Sequence, residues 1–329
     1  MLDMNVLSFE PVGKIVNKYI GDRKLVLLGD NKNFTALLMQ RYGIEPMYIA
    51  TSVKDNLSKG DNYRMLSDFE GKSNEFYICI PFLKYDVKLV KRFNQMGFKE
   101  YTDFVFVFHK RITIPPHTKN YVDEYGNNIL SSGDFSVVLI ERAGDCIVDI
   151  KDSVLSGTNS FITMAGNKAK VIIEENVRFS MNTRFEVYSY SDVYIEEKSS
   201  FAWNFSCRVP ACGTVKIGKD CMFSNDIDLF CGDGHAIFDI QTGRRLNECN
   251  IDNKTKIIIG NHVWVGLRCL ILSSSIGKSS IIGARSVVKG KIDDNCIAVG
   301  NPAVVKKHDI TWSRNNYAMD INECGEDYI

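Results

Sequence analysis

Apolar residues recur every six positions through the second half of the chain. Ile173, Phe179 and Phe185 form one triplet, Ile195, Phe201 and Cys207 the next, and Ile217, Phe223 and Leu229 a third, each beginning 22 residues after the last. The series resumes at Ile259, Val265 and Ile271 and continues at Ile276, Ile282 and Val288, so fifteen positions obey one rule. A step of six matches neither the helical period nor the alternation of an ordinary sandwich strand. It matches a very short strand plus a turn, with one apolar side chain per unit pointing inward.

Three such units close a coil in about 18 residues, so a period of 22 places extra residues at one corner, ending in Ser191–Tyr194 and Gly213–Lys216. Coils of this kind stack at the interstrand spacing of about 4.8 Å and bury a continuous column of side chains. A glycine follows the inward residue in Ile217–Gly218, Ile259–Gly260, Val265–Gly266, Ile276–Gly277 and Ile282–Gly283, as a turn with little room for bulk requires. A mainly β fold, with a parallel β-helix over 145–312, is therefore expected.

The first hundred residues follow a different pattern. Strand-like runs at 23–29, 47–50, 76–81 and 103–108 alternate with amphipathic helical stretches at 34–42 and 87–96, which predicts a small α/β, Rossmann-like domain over 1–110. The loop after its first strand, Gly29-Asp30-Asn31-Lys32-Asn33, lacks the GxGxxG of a dinucleotide site. Residues 111–144 read as a connecting segment. The tail 313–329, with Asn315-Asn316-Tyr317 and the acidic stretch from Glu323 to Asp327, carries no chemical signal.

Composition narrows the classes. The 329 residues are 45% hydrophobic and 24% charged, with 40 Lys+Arg against 40 Asp+Glu. That is an ordinary globular balance with no global field to draw nucleic acid. No apolar run approaches the roughly 18 residues of a membrane span, and the N-terminus lacks a secretion signal, so a cytoplasmic location is expected. The ten cysteines include no CxxC pair. Positions such as Cys79, Cys269 and Cys296 lie in apolar stretches and read as reduced, buried thiols.

Between Leu229 and Ile259 the repeat breaks for Cys231–Asp239 and Gln241–Arg245. Loops leaving a rigid scaffold are where function tends to sit. Of the five histidines, His109, His117, His235, His262 and His308, only His235 lies in this interruption. A histidine can be neutral near pH 7 and take a proton from a hydroxyl. His262, inside a regular coil, reads as structural.

Three segments carry a family resemblance: Ile259–Gly266 (IGNHVWVG), Ile281–Val288 (IIGARSVV) and Ala298–Ala303 (AVGNPA). With the repeat, they resemble the left-handed β-helix, hexapeptide-repeat acyltransferases, most closely the bacterial sugar and polysaccharide O-acetyltransferases, over roughly 145–312. Asp233-Gly234-His235 resembles that family's catalytic-histidine loop. The resemblance implies direct transfer of an acetyl group from acetyl-CoA to a sugar or polysaccharide hydroxyl, with His235 as general base and no metal. Asp233 is the favoured carboxylate to orient it, with Asp226 and Asp228 as alternatives. It also implies a coenzyme A groove lined by Trp264, Gly266, Ala284 and Lys289, with Asn301 and Pro302 at its far end. Arg285, Lys291, Lys306 and Lys307 would supply charge for phosphate, and the assembly would be a homotrimer.

Two departures stand out. Val288-Lys289-Gly290-Lys291 replaces the Val-Thr-Lys-Asp often found in relatives, and the step from Ile271 to Ile276 is five, through Ser273-Ser274-Ser275. Cys231, four residues from His235, raises a covalent route as a competing chemistry. By order of elements the front domain resembles that of nucleotide-sugar N-acetyltransferases, so N-acetylation of a nucleotide-linked amino sugar is the alternative function. A metal-dependent hydratase would need three converging histidines, and the repeats hold two.

Overall fold

The computed structural model describes residues 9–325 apart from 30, 53, 82–85, 108–110, 132, 141–142 and 248–249. Two compact units divide the chain. One comprises Met1–Ile112, Val122–Asn127 and Ile140–Asp145, and the other Thr113–Tyr121, Asn128–Leu139 and Cys146–Ile329. The segment 111–144 thus contributes to both.

The first unit is the small α/β domain. Its five strands are all parallel and lie in the spatial order Tyr63–Met65, Pro46–Thr51, Lys24–Leu28, Phe76–Ile80, Phe104–Phe106. The stretch 34–42 is helical as Lys32–Leu37 and widens into a π-turn at Leu38–Tyr42. A further helix, Glu10–Tyr19, buries Val12, Ile15 and Val16. The expected strand at 103–108 is seen at 104–106, while Phe108 lies outside the described residues.

The second unit is a left-handed parallel β-helix, and the six-residue rule maps onto its three faces. Ile173, Ile195, Ile217, Ile259 and Ile276 pair in register up the first face. Phe179, Phe201, Phe223, Val265 and Ile282 climb the second. Phe185, Cys207, Leu229, Ile271 and Val288 climb the third. All fifteen are buried. The stack extends past these coils, through Ile150 and Ile162 below and Ile292 and Ala298 above.

The extra residues of the 22-residue coils lengthen two faces instead of bulging. Strands such as Arg184–Val187 and Asp192–Ile195 each turn a second side chain inward, and Val187, Val193, Val209 and Val215 are fully buried. Beyond Leu229 the coils shorten, and the five-residue step becomes one continuous strand, Leu270–Ile276, that rounds the corner between third and first faces.

The corner glycines answer to stacking. A Cβ on Gly266 would sit 2.8 Å from the Ala284 backbone nitrogen of the next coil, closer than real contacts allow. The left-handed backbone falls instead three residues after each inward side chain, on Asn182, Asn204, Asp226, Arg268 and Arg285 along one edge. Asn and Asp are the non-glycine residues that enter this region most readily.

At the far end, Ala303–Lys307 folds back antiparallel on Ile297–Gly300. The nine described cysteines are all free, eight of them buried, and burial pushes the Cys79 and Cys207 thiols well up. No described helix is long and apolar enough to cross a membrane.

Candidate active site

The interrupting loop leaves the third face after Phe230 and rejoins the first at Thr255. Gly234 enters it with φ +77, where its missing Cβ would lie 3.4 Å from the Phe230 ring. His235 is exposed. Downstream a short hairpin forms, with Phe238 bridged to Arg245 and the Asp239 carboxylate accepting from the Thr242 backbone N–H at 2.7 Å. It exposes Ile237, Phe238, Ile240 and Leu246.

Asn247 ties this loop together. Its Nδ2 donates to the His235 carbonyl oxygen at 2.7 Å and to Asp233 Oδ2 at 3.1 Å, while its Oδ1 accepts from the Ile237 N–H at 2.9 Å. Asp233 therefore fixes the path of the chain through His235, and no hydrogen bond joins its carboxylate to the imidazole. Asp226 is held on its corner by Asn204 and Arg268, which keep its carboxyl below the usual range. Asp228 lies exposed on the third face. None of the three candidate carboxylates is hydrogen-bonded to the His235 ring.

The loop bounds a cavity of about 440 Å³ whose walls include His235, Arg245, Asn247, Pro210, Ser273 and Lys289. The shortened corner and the departure at Lys289 thus meet at the histidine. The other expected groove residues lie elsewhere. Gly266, Ala284, Arg285, Asn301 and Pro302 follow second-face strands and occupy the edge between second and third faces, and Trp264 is on the second face itself. Two edges of the prism therefore share the expected site. Arg285 and Lys289 are exposed and have no ion-pair partner among the described residues. Lys291 is paired with Asp293 at 2.6 Å. Lys306 and Lys307 lie on the fold-back strand. Of these expected cations, Arg285 and Lys289 keep their charge unpaired among the described residues, whereas that of Lys291 is already met by Asp293.

Cys231 lies buried at the foot of the loop, its Sγ 3.5 Å from the Thr214 carbonyl oxygen and 3.6 Å from the Thr255 hydroxyl. An enclosed thiol of this kind is poorly placed to receive an acyl group. Of the remaining histidines, His117 lies 2.8 Å from Asp134 and His308 is 3.3 Å from Cys296 Sγ, while His109 lies outside the described residues.

His262 is part of a latch that no spacing or motif predicts. Its Nδ1 lies 2.7 Å from Asp220 and its Nε2 2.7 Å from the Trp312 carbonyl oxygen, and its ring stacks on Trp312 at 4.1 Å. Arg314 then donates to Asp220 Oδ1 at 2.6 Å and to the carbonyls of Asp220 and Cys221. The start of the tail is thereby fastened to the corner between first and second faces. Burial disfavours ionised Asp220, but the hydrogen bonds from His262 and Arg314 outweigh it and hold its carboxyl below the usual value. A depressed carboxyl stabilises the fold above its unfolded pKa of about 3.9 and loses that contribution as pH falls through the folded value. The Trp312 indole N–H, which donates to the His262 carbonyl oxygen at 2.7 Å, should therefore show a protection factor, taken against its intrinsic exchange rate at each pH, that is high at neutral pH and falls below about pH 4, and Asp220→Asn should remove that acid step. A protection factor in the parent that does not change with acid would contradict this.

No family model matches the chain. A polysialic acid O-acetyltransferase of Escherichia coli O1:K1 / APEC is 32% identical over 134 residues, which cover 40% of this chain and 42% of that protein. A second, from Neisseria meningitidis, is 29% identical over 178 residues, covering 52% of this chain and 80% of its own length. The crystal structure of the polySia specific acetyltransferase NeuO superposes with a TM-score of 0.54 at 29% identity, over 60% of this chain and 83% of that one. The chain is similar in sequence and fold to hexapeptide-repeat acetyltransferases. It spans less than half the length of the E. coli relative it matches. In this chain the repeat, its interrupting loop and the Lys289 corner each contribute walls to the cavity at His235.

Proposed function

We propose that the protein transfers an acetyl group from acetyl-CoA to a hydroxyl of a bacterial surface polysaccharide or its sugar precursor, with His235 as general base. The observation that carries this reading is the exposed His235 in a cavity shared with Lys289 and Arg245, on the loop that interrupts the repeat between Phe230 and Thr255. Polysialic acid, named for two relatives, is the first acceptor to try.

In this mechanism the His235 imidazole takes the proton of the acceptor hydroxyl as its oxygen attacks the thioester carbon. The acyl C–S bond breaks, and the coenzyme A sulfur leaves as a thiol with a proton returned by the histidine. Asn247 and Asp233 hold the backbone at His235 and so set where the base stands. Arg285 and Lys289 would bind coenzyme A phosphates. Because the groove residues lie on two edges of one prism, a homotrimer in which one chain's edge faces another's would bring them into a single cleft. The test is release of free thiol from acetyl-CoA with a panel of polysaccharides, oligosaccharides and nucleotide sugars. Thiol release dependent on a polysaccharide is the expected result, and release with none of the panel would refute the reading.

One observation favours the alternative, N-acetylation of a nucleotide-linked amino sugar. The front sheet reverses its winding between Lys24–Leu28 and Phe76–Ile80, the kind of switch point at which parallel α/β sheets bind ligands. Calorimetric binding of UDP or UDP-sugars by the chain would support it.

A further inference from the structure

Outward side chains of the third face form a polar groove that the acyl-transfer chemistry leaves unused. Arg184, Ser206 and Asp228 stand one above another in register, and beside them run Glu186, Arg208 and Phe230. One wall is a ladder of corner amides. Asn159 donates to Asn182 at 2.8 Å, Asn182 to Asn204 at 2.9 Å, and Asn204 to Asp226 at 2.7 Å. The groove measures about 510 Å³.

Its charges are unevenly satisfied. Arg208 is occupied, with Nε 3.1 Å from Glu186 and its guanidinium over the Phe230 ring. Arg184 is exposed and has no carboxylate partner among the described residues. A planar guanidinium in that state matches a carboxylate through two parallel hydrogen bonds. Each ladder amide also has a second N–H that the ladder does not engage. Trp203, the chain neighbour of the ladder's Asn204, is 55% exposed, and an indole face at a wet surface suits the apolar side of a sugar ring. The groove also has a direction. Phe230, last of its column, lies against Gly234, so the groove ends under the His235 loop.

We propose that this groove is the acceptor track: it binds an extended, carboxylate-bearing oligosaccharide and leads it to His235. Arg184 pairs with a sugar carboxylate, the Asn159–Asn182–Asn204 ladder donates to hydroxyl or carbonyl oxygens, and Trp203 packs on a neighbouring ring. The assignment rests on the transferase reading for its end point, and on the groove's own chemistry for its occupant.

The test is calorimetric titration of the full chain with oligosialic acids of graded length and with neutral dextran oligomers. Arg184→Gln and Trp203→Ala are titrated alongside, with coenzyme A as a control for the fold. Affinity is expected to rise with the length of the acidic glycan and to fall about tenfold or more in Arg184→Gln, the range of a lost charge-assisted hydrogen bond. Coenzyme A binding should be unchanged in both variants. Equal glycan affinity in parent and variants would overturn the track, as would dextran binding as tight as the acidic series or no glycan binding by the parent. Dissociation of the assembly by Arg184→Glu would overturn it too, by making this face a contact between copies. Glycan binding without acetyl transfer would sink the transferase reading and leave the track standing, whereas transfer with unaltered glycan affinity in Arg184→Gln would sink the track alone.

Discussion

Replacing His235 with alanine should lower acetyl transfer by roughly 10²–10⁴-fold, the usual contribution of a positioned general base. The melting temperature and coenzyme A affinity should hardly move. The side chain is exposed and makes no hydrogen bond to the described residues, and the loop is fastened through the His235 carbonyl oxygen, which an alanine retains. Steady-state kinetics with saturating acetyl-CoA would show the loss in turnover. A variant as active as the parent would mean that some other group removes the proton, and Cys231→Ser would then be the next comparison.

Phe201→Ala should be the most damaging single change to the fold. Phe201 lies in the middle of an aromatic stack, 4.5 Å from Phe179 at 13° and 4.5 Å from Phe223 at 12°, with Phe205 also at 4.5 Å. Its ring is 2% exposed. Truncating a buried phenylalanine costs about 3–5 kcal/mol through lost burial and the cavity left behind. In a stacked repeat the loss also weakens the interfaces of one coil with both neighbours. Guanidinium unfolding should show the midpoint falling accordingly. Cys207→Ala, one face away in the same coil, removes far less volume and should cost clearly less. Equal costs at the two positions would show that the aromatic column is not what holds the coils together.

The fold was legible because a six-residue step leaves few alternatives. Ile173, Phe179 and Phe185 could share a rule only if each began a new face, and their partners one coil on sit in register with them. What the spacing could not reveal was the use of the four extra residues. A bulging corner and a widened core leave the same interval between triplets, and only the burial of Val187 and Val193 decides for the wider core.

The site was legible to a lesser degree. His235 stood out as the histidine in the broken repeat, and Lys289 joined it in space because the shortened corner lies beside the loop. Asn247 was invisible, since a residue that stitches a loop to its own backbone leaves no spacing signal. The latch was equally hidden, because Arg314 reaches Asp220 across 94 positions of sequence. The division of the groove residues between two edges also needed the register. Gly266 and Ser273 are near in sequence yet lie on opposite sides of a third-face strand.

The most direct measurement is the mass and alkali lability of the glycan recovered after incubation with the protein and acetyl-CoA. An acetyl increment removed by mild alkali, and absent with His235→Ala, is the predicted result, because an ester on a hydroxyl is cleaved where an amide survives. An alkali-stable acetyl group on an amino sugar, or no increment on any acceptor, would contradict O-acetyl transfer by this chain.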